Sequence, residues 1–235
     1  MKTMLILSTL ALIGAVCCSS CKETSTAQET VLLIDLTDSF CNQFDTTDIN
    51  SISIVDDSKW NGETTKVVTI SDVGVNKQYV ASIPRVPNKL YGNDSKRKEV
   101  VASYFLKINY IIASVLQEKR GRDESVIYKR IAEELNILAD KNVGKKTLII
   151  NSDLMEKSFI NFYKPSVLSE IVSKPDVVAK KIIDKYPLSR LDGIEIYILY
   201  QPVSIEDNAR FEIVSTFYKN LFESHGAVVH IQSNI

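Results

Sequence analysis

The sequence predicts an α/β protein of three layers, with a doubly wound, mostly parallel central sheet, one antiparallel edge strand and helices on both faces. Two segments, 31–34 and 147–151, are apolar without alternation, which is typical of strands covered on both faces of a parallel sheet. Strand-like and helix-like segments mostly alternate along the chain, as the crossovers of a parallel sheet require. The link at 74–76 is so short that the strands on either side of it must be antiparallel.

The individual elements follow from hydrophobic periodicity and from turn residues. Pro84 and Pro87 end the strand at 78–83 and favour an edge position for it. Three helices carry an apolar stripe at helical spacing, which predicts the face that each packs on the sheet. These stripes are Val101, Phe105, Ile108, Ile112 and Val115; Ile127, Ile131, Leu135 and Leu138; and Phe211, Val214, Tyr218 and Leu221. The predicted order is strand 31–34, a short helix ending near 55, strands 66–73 and 78–83, helices 94–120 and 126–144, strand 147–151, helices 166–173 and 176–185, strand 194–200, helix 208–224 and strand 227–232.

Composition favours a folded domain without a nucleic-acid partner. The chain has 235 residues, and 45% of them are hydrophobic, which is enough for a core and argues against disorder. Its formal net charge of −1 gives no electrostatic reason to expect nucleic acid. Residues 31–235 contain no internal repeat, and we expect them to form one domain.

The N-terminus has the pattern of an export signal. Lys2 precedes an apolar segment at 5–16, which is too short to span a bilayer as a stable anchor. Three cysteines follow, and this arrangement resembles the precursor of a bacterial lipoprotein, in which a cysteine behind a small residue becomes the lipidated first residue. Cys21, which follows Ser19 and Ser20, fits that role. The alternative is a conventional signal that is cut nearby and releases a soluble protein.

Lipidation at Cys21 would make residues 1–20 a signal peptide of the lipoprotein type, and the polar residues 21–30 a flexible tether. The protein would then be exported and anchored by its lipid in the bacterial envelope, at the outer membrane or the cell surface. Cys41 would be the one other cysteine of the mature chain, so an internal disulfide could not form and stability would come from packing.

A run of oxygen-bearing side chains follows the first strand. Asp35, Thr37 and Ser39 occupy alternate positions directly after the apolar residues 31–34. In an open α/β sheet, ligands bind beyond the carboxyl ends of the strands, so three oxygen donors leave this strand where a site is expected. Oxygen donors of this kind suit a hard cation such as Mg²⁺.

Together with the order of elements, this motif resembles a von Willebrand factor A-type (vWA) domain, a Rossmann-like fold that carries a metal-ion-dependent adhesion site. The family's first motif, D-x-S-x-S, matches Asp35, Thr37 and Ser39, with threonine in the first hydroxyl position. The family also takes a threonine from a loop between central helices, and Ser125 is the matching residue here. Its last ligand is an aspartate just beyond the fourth strand, where this chain has Asp153.

The resemblance implies a function in binding rather than in catalysis. The hydroxyl oxygens of Thr37 or Ser39 and of Ser125 would touch Mg²⁺ or Mn²⁺, while Asp35 and Asp153 would act mostly through water. With so few direct carboxylates, the ion would keep net positive character and could accept an acidic side chain from a protein partner. The family thus implies an interaction module with no enzymatic activity.

Other interpretations of these residues stay open. The side chains of the first motif and Asp153 suit helix caps as well as metal ligands, and the fold would then be a metal-free scaffold. The apolar strand before Asp35 also resembles the start of a haloacid-dehalogenase-type phosphatase, in which this aspartate is the nucleophile. That family has a second aspartate where this chain has Thr37. Glu156 and Ser158 would either border the site or lie in solvent.

Overall fold

A computed structural model describes residues 26–37, 44, 46–70, 77–87, 92–118, 124–233 and 235, without the side chains of 46–48. Several predicted features lie outside these residues, and the structure does not describe them. They are the signal peptide at 1–20, the lipidated Cys21, Ser39 of the first motif, Cys41 and the link at 74–76.

The central sheet has six strands: β1 (Ala27–Asp35), β2 (Gly62–Ile70), β3 (Gln78–Ile83), β4 (Lys145–Asn151), β5 (Ile194–Leu199) and β6 (Val228–Gln232). Their order across the sheet is β3-β2-β1-β4-β5-β6. All neighbours are parallel except β2 and β3, which pair antiparallel at one edge. The predicted three-layer α/β fold, with a mostly parallel sheet and one antiparallel edge strand, is confirmed.

Seven helices lie among the described residues: α1 (Thr46–Ile52), α2 (Ile54–Asp57), α3 (Asp94–Leu116), α4 (Ile127–Ala139), α5 (Pro165–Ser173), α6 (Pro175–Lys185) and α7 (Ile205–Ser224). Side chains cap the longest two, because Asn93 accepts a hydrogen bond from the Lys96 N–H and Ser204 accepts one from the Asp207 N–H. Prolines begin α5 and α6, where a missing N–H costs nothing.

The core lies in two clusters, one on each face of the sheet. Leu32 and Ile34 of β1 point into the cluster that α3 covers, whereas Val31 and Leu33 point into the cluster covered by α4 and α7. The period of two along β1 therefore supplies both clusters from one strand, which is why its apolar residues do not alternate with polar ones. The apolar stripes predicted for α4 and α7 are buried in full.

Three strands begin earlier than the sequence predicts: β1, β2 and, by two residues, β4, which starts at Lys145. Residues 27–30 belong to β1 and not to a flexible tether, and β2 starts at Gly62 where the prediction was residue 66. Most of the extra residues are polar, yet Gln28 and Glu63 are register partners on adjacent strands and both are buried. Their burial is partly offset by hydrogen bonds, since the Gln28 amide donates to Thr30 Oγ1 at 2.8 Å and Ser53 Oγ donates to Glu63 Oε2 at 2.6 Å.

Within the described ranges, α3 is the one helix long and apolar enough to cross a membrane by length and composition. Core helices of soluble proteins meet the same criterion, so this feature is weak evidence for a membrane span. One face of α3 packs on the sheet, because Ile108, Ile112 and Val115 are buried against β2 and β3.

Candidate metal centre

The carboxylate of Asp35 lies at the carboxyl end of β1 and is fully buried. Its Oδ1 atom accepts hydrogen bonds from the Thr37 N–H at 2.8 Å and from the Thr37 hydroxyl at 2.6 Å. Its Oδ2 atom accepts a hydrogen bond from the Ser152 hydroxyl at 2.6 Å. Asp35 therefore fixes the turn that follows its own strand and joins it to the end of the adjacent strand, β4.

The hydroxyl oxygens of Thr37 and Ser125 lie 2.8 Å apart, although these residues are far apart in the sequence. A threonine hydroxyl has one hydrogen, and that of Thr37 is donated to Asp35. Ser125 must then donate to Thr37, which leaves the lone pairs of the Ser125 oxygen available to a ligand. The structure thus brings together Asp35, Thr37 and Ser125, three of the five residues predicted to form the site.

The main chain holds Ser125 in this place. Its N–H donates to the Lys157 carbonyl at 3.1 Å, and the Lys157 N–H donates to the Ser125 carbonyl at 2.9 Å. This bridge links the segment before α4 to the loop that follows β4. Ser125 is buried, so its hydroxyl has a fixed position instead of sampling the solvent.

Asp153 is the fourth predicted residue, and it lies two residues beyond β4 at the same edge of the sheet. Its Oδ1 atom accepts from the Met155 N–H at 2.9 Å, and its Oδ2 atom accepts from the Tyr163 hydroxyl at 3.4 Å. The preceding residue, Ser152, is the partner of Asp35. The side chain of Asp153 is buried, and the described contacts give it a role in holding the loop together.

The loop after β4 contains an unusual backbone conformation. Leu154 has a φ of 62°, in the left-handed region that residues other than glycine rarely adopt. Its N–H is fixed by Ser152 Oγ at 2.9 Å, and its side chain is fully buried. Such conformations cost on the order of 1 kcal/mol or more and persist where the surroundings enforce them, often at functional sites.

Glu156 has a structural role that the sequence does not predict, and the alternative of a solvated position is wrong for it. Its side chain is fully buried, and its Oε2 atom accepts from the N–H groups of Ile127 and Tyr128 at 2.8 and 2.7 Å. These are first-turn donors of α4, which has no capping side chain at Val126. Ser158 Oγ donates to the other carboxylate oxygen. Burial outweighs these hydrogen bonds and raises the pKa of Glu156 to about 7.

Known proteins do not assign this chain to a family. Its sequence matches no protein-family model and no curated protein. The resemblance to a vWA domain therefore stays a prediction, and the functional argument rests on the fold and on the side chains at this edge of the sheet.

The described residues fit a hard cation by their chemistry. In an octahedral Mg²⁺ site with ligands at about 2.0–2.1 Å, neighbouring ligand oxygens are about 3 Å apart, close to the spacing of the Thr37 and Ser125 hydroxyl oxygens at 2.8 Å. Both oxygens of Asp35 already hold hydroxyl or N–H groups, which suits a carboxylate that orients ligands. Among the described residues, no group of three or more His, Cys, Asp or Glu side chains is arranged so that it could hold a metal ion.

Proposed function

We propose that this chain is a lipid-anchored interaction module of the bacterial envelope, which binds a protein partner through a divalent cation. The observation that carries the proposal is the connected chain of hydrogen bonds from Ser152 through Asp35 and Thr37 to Ser125. Four side chains from three distant parts of the sequence converge at the edge of an α/β sheet where ligands are expected.

In the proposed site, Thr37 and Ser125 would hold Mg²⁺ or Mn²⁺ through their hydroxyl oxygens, together with Ser39. Asp35 would keep the Thr37 hydroxyl in position, and Asp153 would act through water. A cation held mainly by neutral oxygens keeps most of its charge, so it attracts an acidic side chain of the partner. Burial of Asp35 supports this orienting role over that of a nucleophile, which would need an exposed oxygen.

The position of β1 determines how the proposed module would be oriented relative to a membrane. A lipid on Cys21 would leave residues 22–26 between the anchor and β1, and Thr26 is already fixed by its N–H, which donates to Asn61 Oδ1 at 3.0 Å. Such a segment spans at most about 17 Å. The amino ends of the parallel strands would then face the membrane, and the candidate metal centre at their carboxyl ends would face away from it.

Calorimetric titration of residues 22–235 with MnCl₂ and MgCl₂ tests the metal site. We expect saturable binding by the wild type and none by Asp35→Asn, which keeps one acceptor oxygen but removes the charge. Asp207→Asn is the matched control, because Asp207 likewise accepts from a hydroxyl and an N–H, those of Tyr200 and Val203, beyond strand β5. Urea unfolding of all variants checks that the sheet is intact.

The metal proposal fails if the wild type shows neither heat nor selective Mn²⁺ broadening of the Ser125 amide signal. It also fails if Asp35→Asn and Asp207→Asn bind the cation equally well. Lipid attachment is tested separately by labelling cells with a fatty-acid analogue. Incorporation should disappear in Cys21→Ala, and label that persists in this variant would contradict an anchor at Cys21.

A further inference from the structure

A groove of about 360 Å³ lies between α5 and α7, and none of its lining residues belongs to the candidate metal centre. Its floor is apolar, with Ile171 of α5 and Phe217 of α7 both buried. Val172 is at the mouth and remains 65% exposed, so an apolar surface continues from the floor to the solvent. The volume is within the range of about 300–1,000 Å³ that is usual for small-molecule sites.

One wall of the groove is polar. Glu212, Thr216 and Asn220 lie on successive turns of α7 and therefore on the same side of the helix. Within the described part of the chain, the neighbouring basic residues of α7 are engaged elsewhere. Arg210 pairs with Glu206 at 3.0 Å and Lys219 pairs with Glu223 at 3.7 Å.

The Glu212 carboxylate has no ion pair or side-chain hydrogen bond with any residue that the structure describes. It is exposed at the polar wall of the groove, and Thr216 and Asn220 beside it are uncharged. The groove thus combines apolar contact surface with one negative charge at its side. Charge complementarity selects a ligand with an apolar chain and a single positive group.

We propose that this groove binds a small amphipathic cation of the alkylammonium class. The ammonium group would lie beside Glu212 and donate to Thr216 or Asn220, while the alkyl chain would pack on Ile171 and Phe217. Apolar burial supplies most of the affinity, and the exposed ion pair supplies a preference for a cation over a neutral or anionic ligand. The proposal is independent of the metal centre, because none of these residues contributes to it.

Octylammonium chloride is the probe, and octanol and octanoate are the neutral and anionic comparisons. A nitrogen–proton correlation spectrum of the full mature chain is recorded during each titration. We expect octylammonium to shift the amide signals of Val172, Ile213 and Thr216, with a dissociation constant on the order of 1 mM. Octanol should bind about threefold more weakly, and octanoate more weakly still, as expected for an exposed charge pair.

Three variants sharpen the test. Glu212→Gln should remove the preference for octylammonium over octanol, while Glu206→Gln, the same change of charge on the same helix outside the groove, should keep it. Val172→Lys should abolish binding of all three probes, because a long cationic side chain at the mouth covers the groove and pairs with Glu212. Val172 is exposed, so this variant is expected to fold, and its urea midpoint verifies that it does.

Three results would overturn the proposal. The first is equal affinity for octylammonium and octanoate, which would mean that the groove is an apolar surface without charge selection. The second is a set of shifted amides outside α5 and α7. The third is a Val172→Lys variant that folds and still binds octylammonium.

Discussion

Glu156 should weaken the fold as the pH rises toward neutrality, and Glu156→Gln should remove this effect. Burial raises the pKa of the Glu156 carboxyl from 4.5 to about 7 in the folded protein. The folded state then binds more protons than the unfolded state between these two values, so unfolding releases protons there. The stabilising proton is fully present below about pH 4.5, and its contribution is lost as the pH rises through about 7.

The size of the effect follows from the two pKa values. Their difference, from 4.5 to about 7, corresponds to about 3 kcal/mol of unfolding free energy that is present below pH 4.5 and absent at alkaline pH, and most of it is lost between pH 5 and pH 8. A glutamine at this position has nearly the same shape. Its carbonyl oxygen can accept from the Ile127 and Tyr128 N–H groups, and its amide can donate to the Ser158 hydroxyl.

Urea unfolding curves at pH 5, 6, 7 and 8 provide the measurement, with Glu206→Gln as an exposed control on α7. We expect the unfolding free energy of Glu156→Gln to exceed that of the wild type by an amount that grows with pH and reaches about 2–3 kcal/mol at pH 8. The control should follow the wild type. A constant difference between Glu156→Gln and the wild type across this range would show that Glu156 does not titrate there.

Three further predictions concern other buried groups. Burial also raises the pKa of Glu63, so Glu63→Gln should reduce the loss of stability above pH 4.5, and a pH dependence identical to that of the wild type would contradict this. Lys66→Met should cost about 3–5 kcal/mol in urea unfolding, because it leaves the buried Glu134 carboxylate without its partner at 2.7 Å. Lys66→Met combined with Glu134→Leu should recover most of that loss, and an additive double variant would refute the pairing. Leu135→Ala should lower the unfolding free energy by about 2–5 kcal/mol, since this side chain is fully buried between α4 and the sheet, and a cost below 1 kcal/mol would contradict that.

The sequence predicts the fold well because the local residue pattern of most strands and helices indicates which of their faces are buried. Residues 31–34 of β1 and the apolar centre of β4 lack alternation because both faces of these strands are covered. The apolar stripe of α4 predicts its buried face in full. Ile127, Ile131 and Leu135 fall on one side of a helix by their spacing alone, so the prediction does not depend on which residues they contact. Pro84 likewise places β3 at an edge, where the structure has it.

The boundaries that the sequence misses depend on contacts between distant residues. Gln28 falls in the predicted tether and Glu63 lies before the predicted strand at 66–73, and only their mutual register and their partners Thr30 and Ser53 make burial possible. Ser152 carries no local signal of its role, since its hydrogen bond to Asp35 spans 117 positions. The sequence does contain one usable signal for Glu156, because a helix that begins at Ile127 without a capping side chain needs an acceptor from elsewhere.

The residues of the loop at 152–157 make hydrogen bonds that hold three separate elements in place. Ser152 holds the Asp35 carboxylate at the end of β1, Glu156 receives the first N–H groups of α4, and Lys157 pairs with the main chain of Ser125. The spacing of the Thr37 and Ser125 hydroxyl oxygens is therefore set by one segment that supplies neither oxygen. The buried, positive-φ Leu154 at its centre fits this account, since a loop that must satisfy three fixed partners has little freedom to relax its backbone.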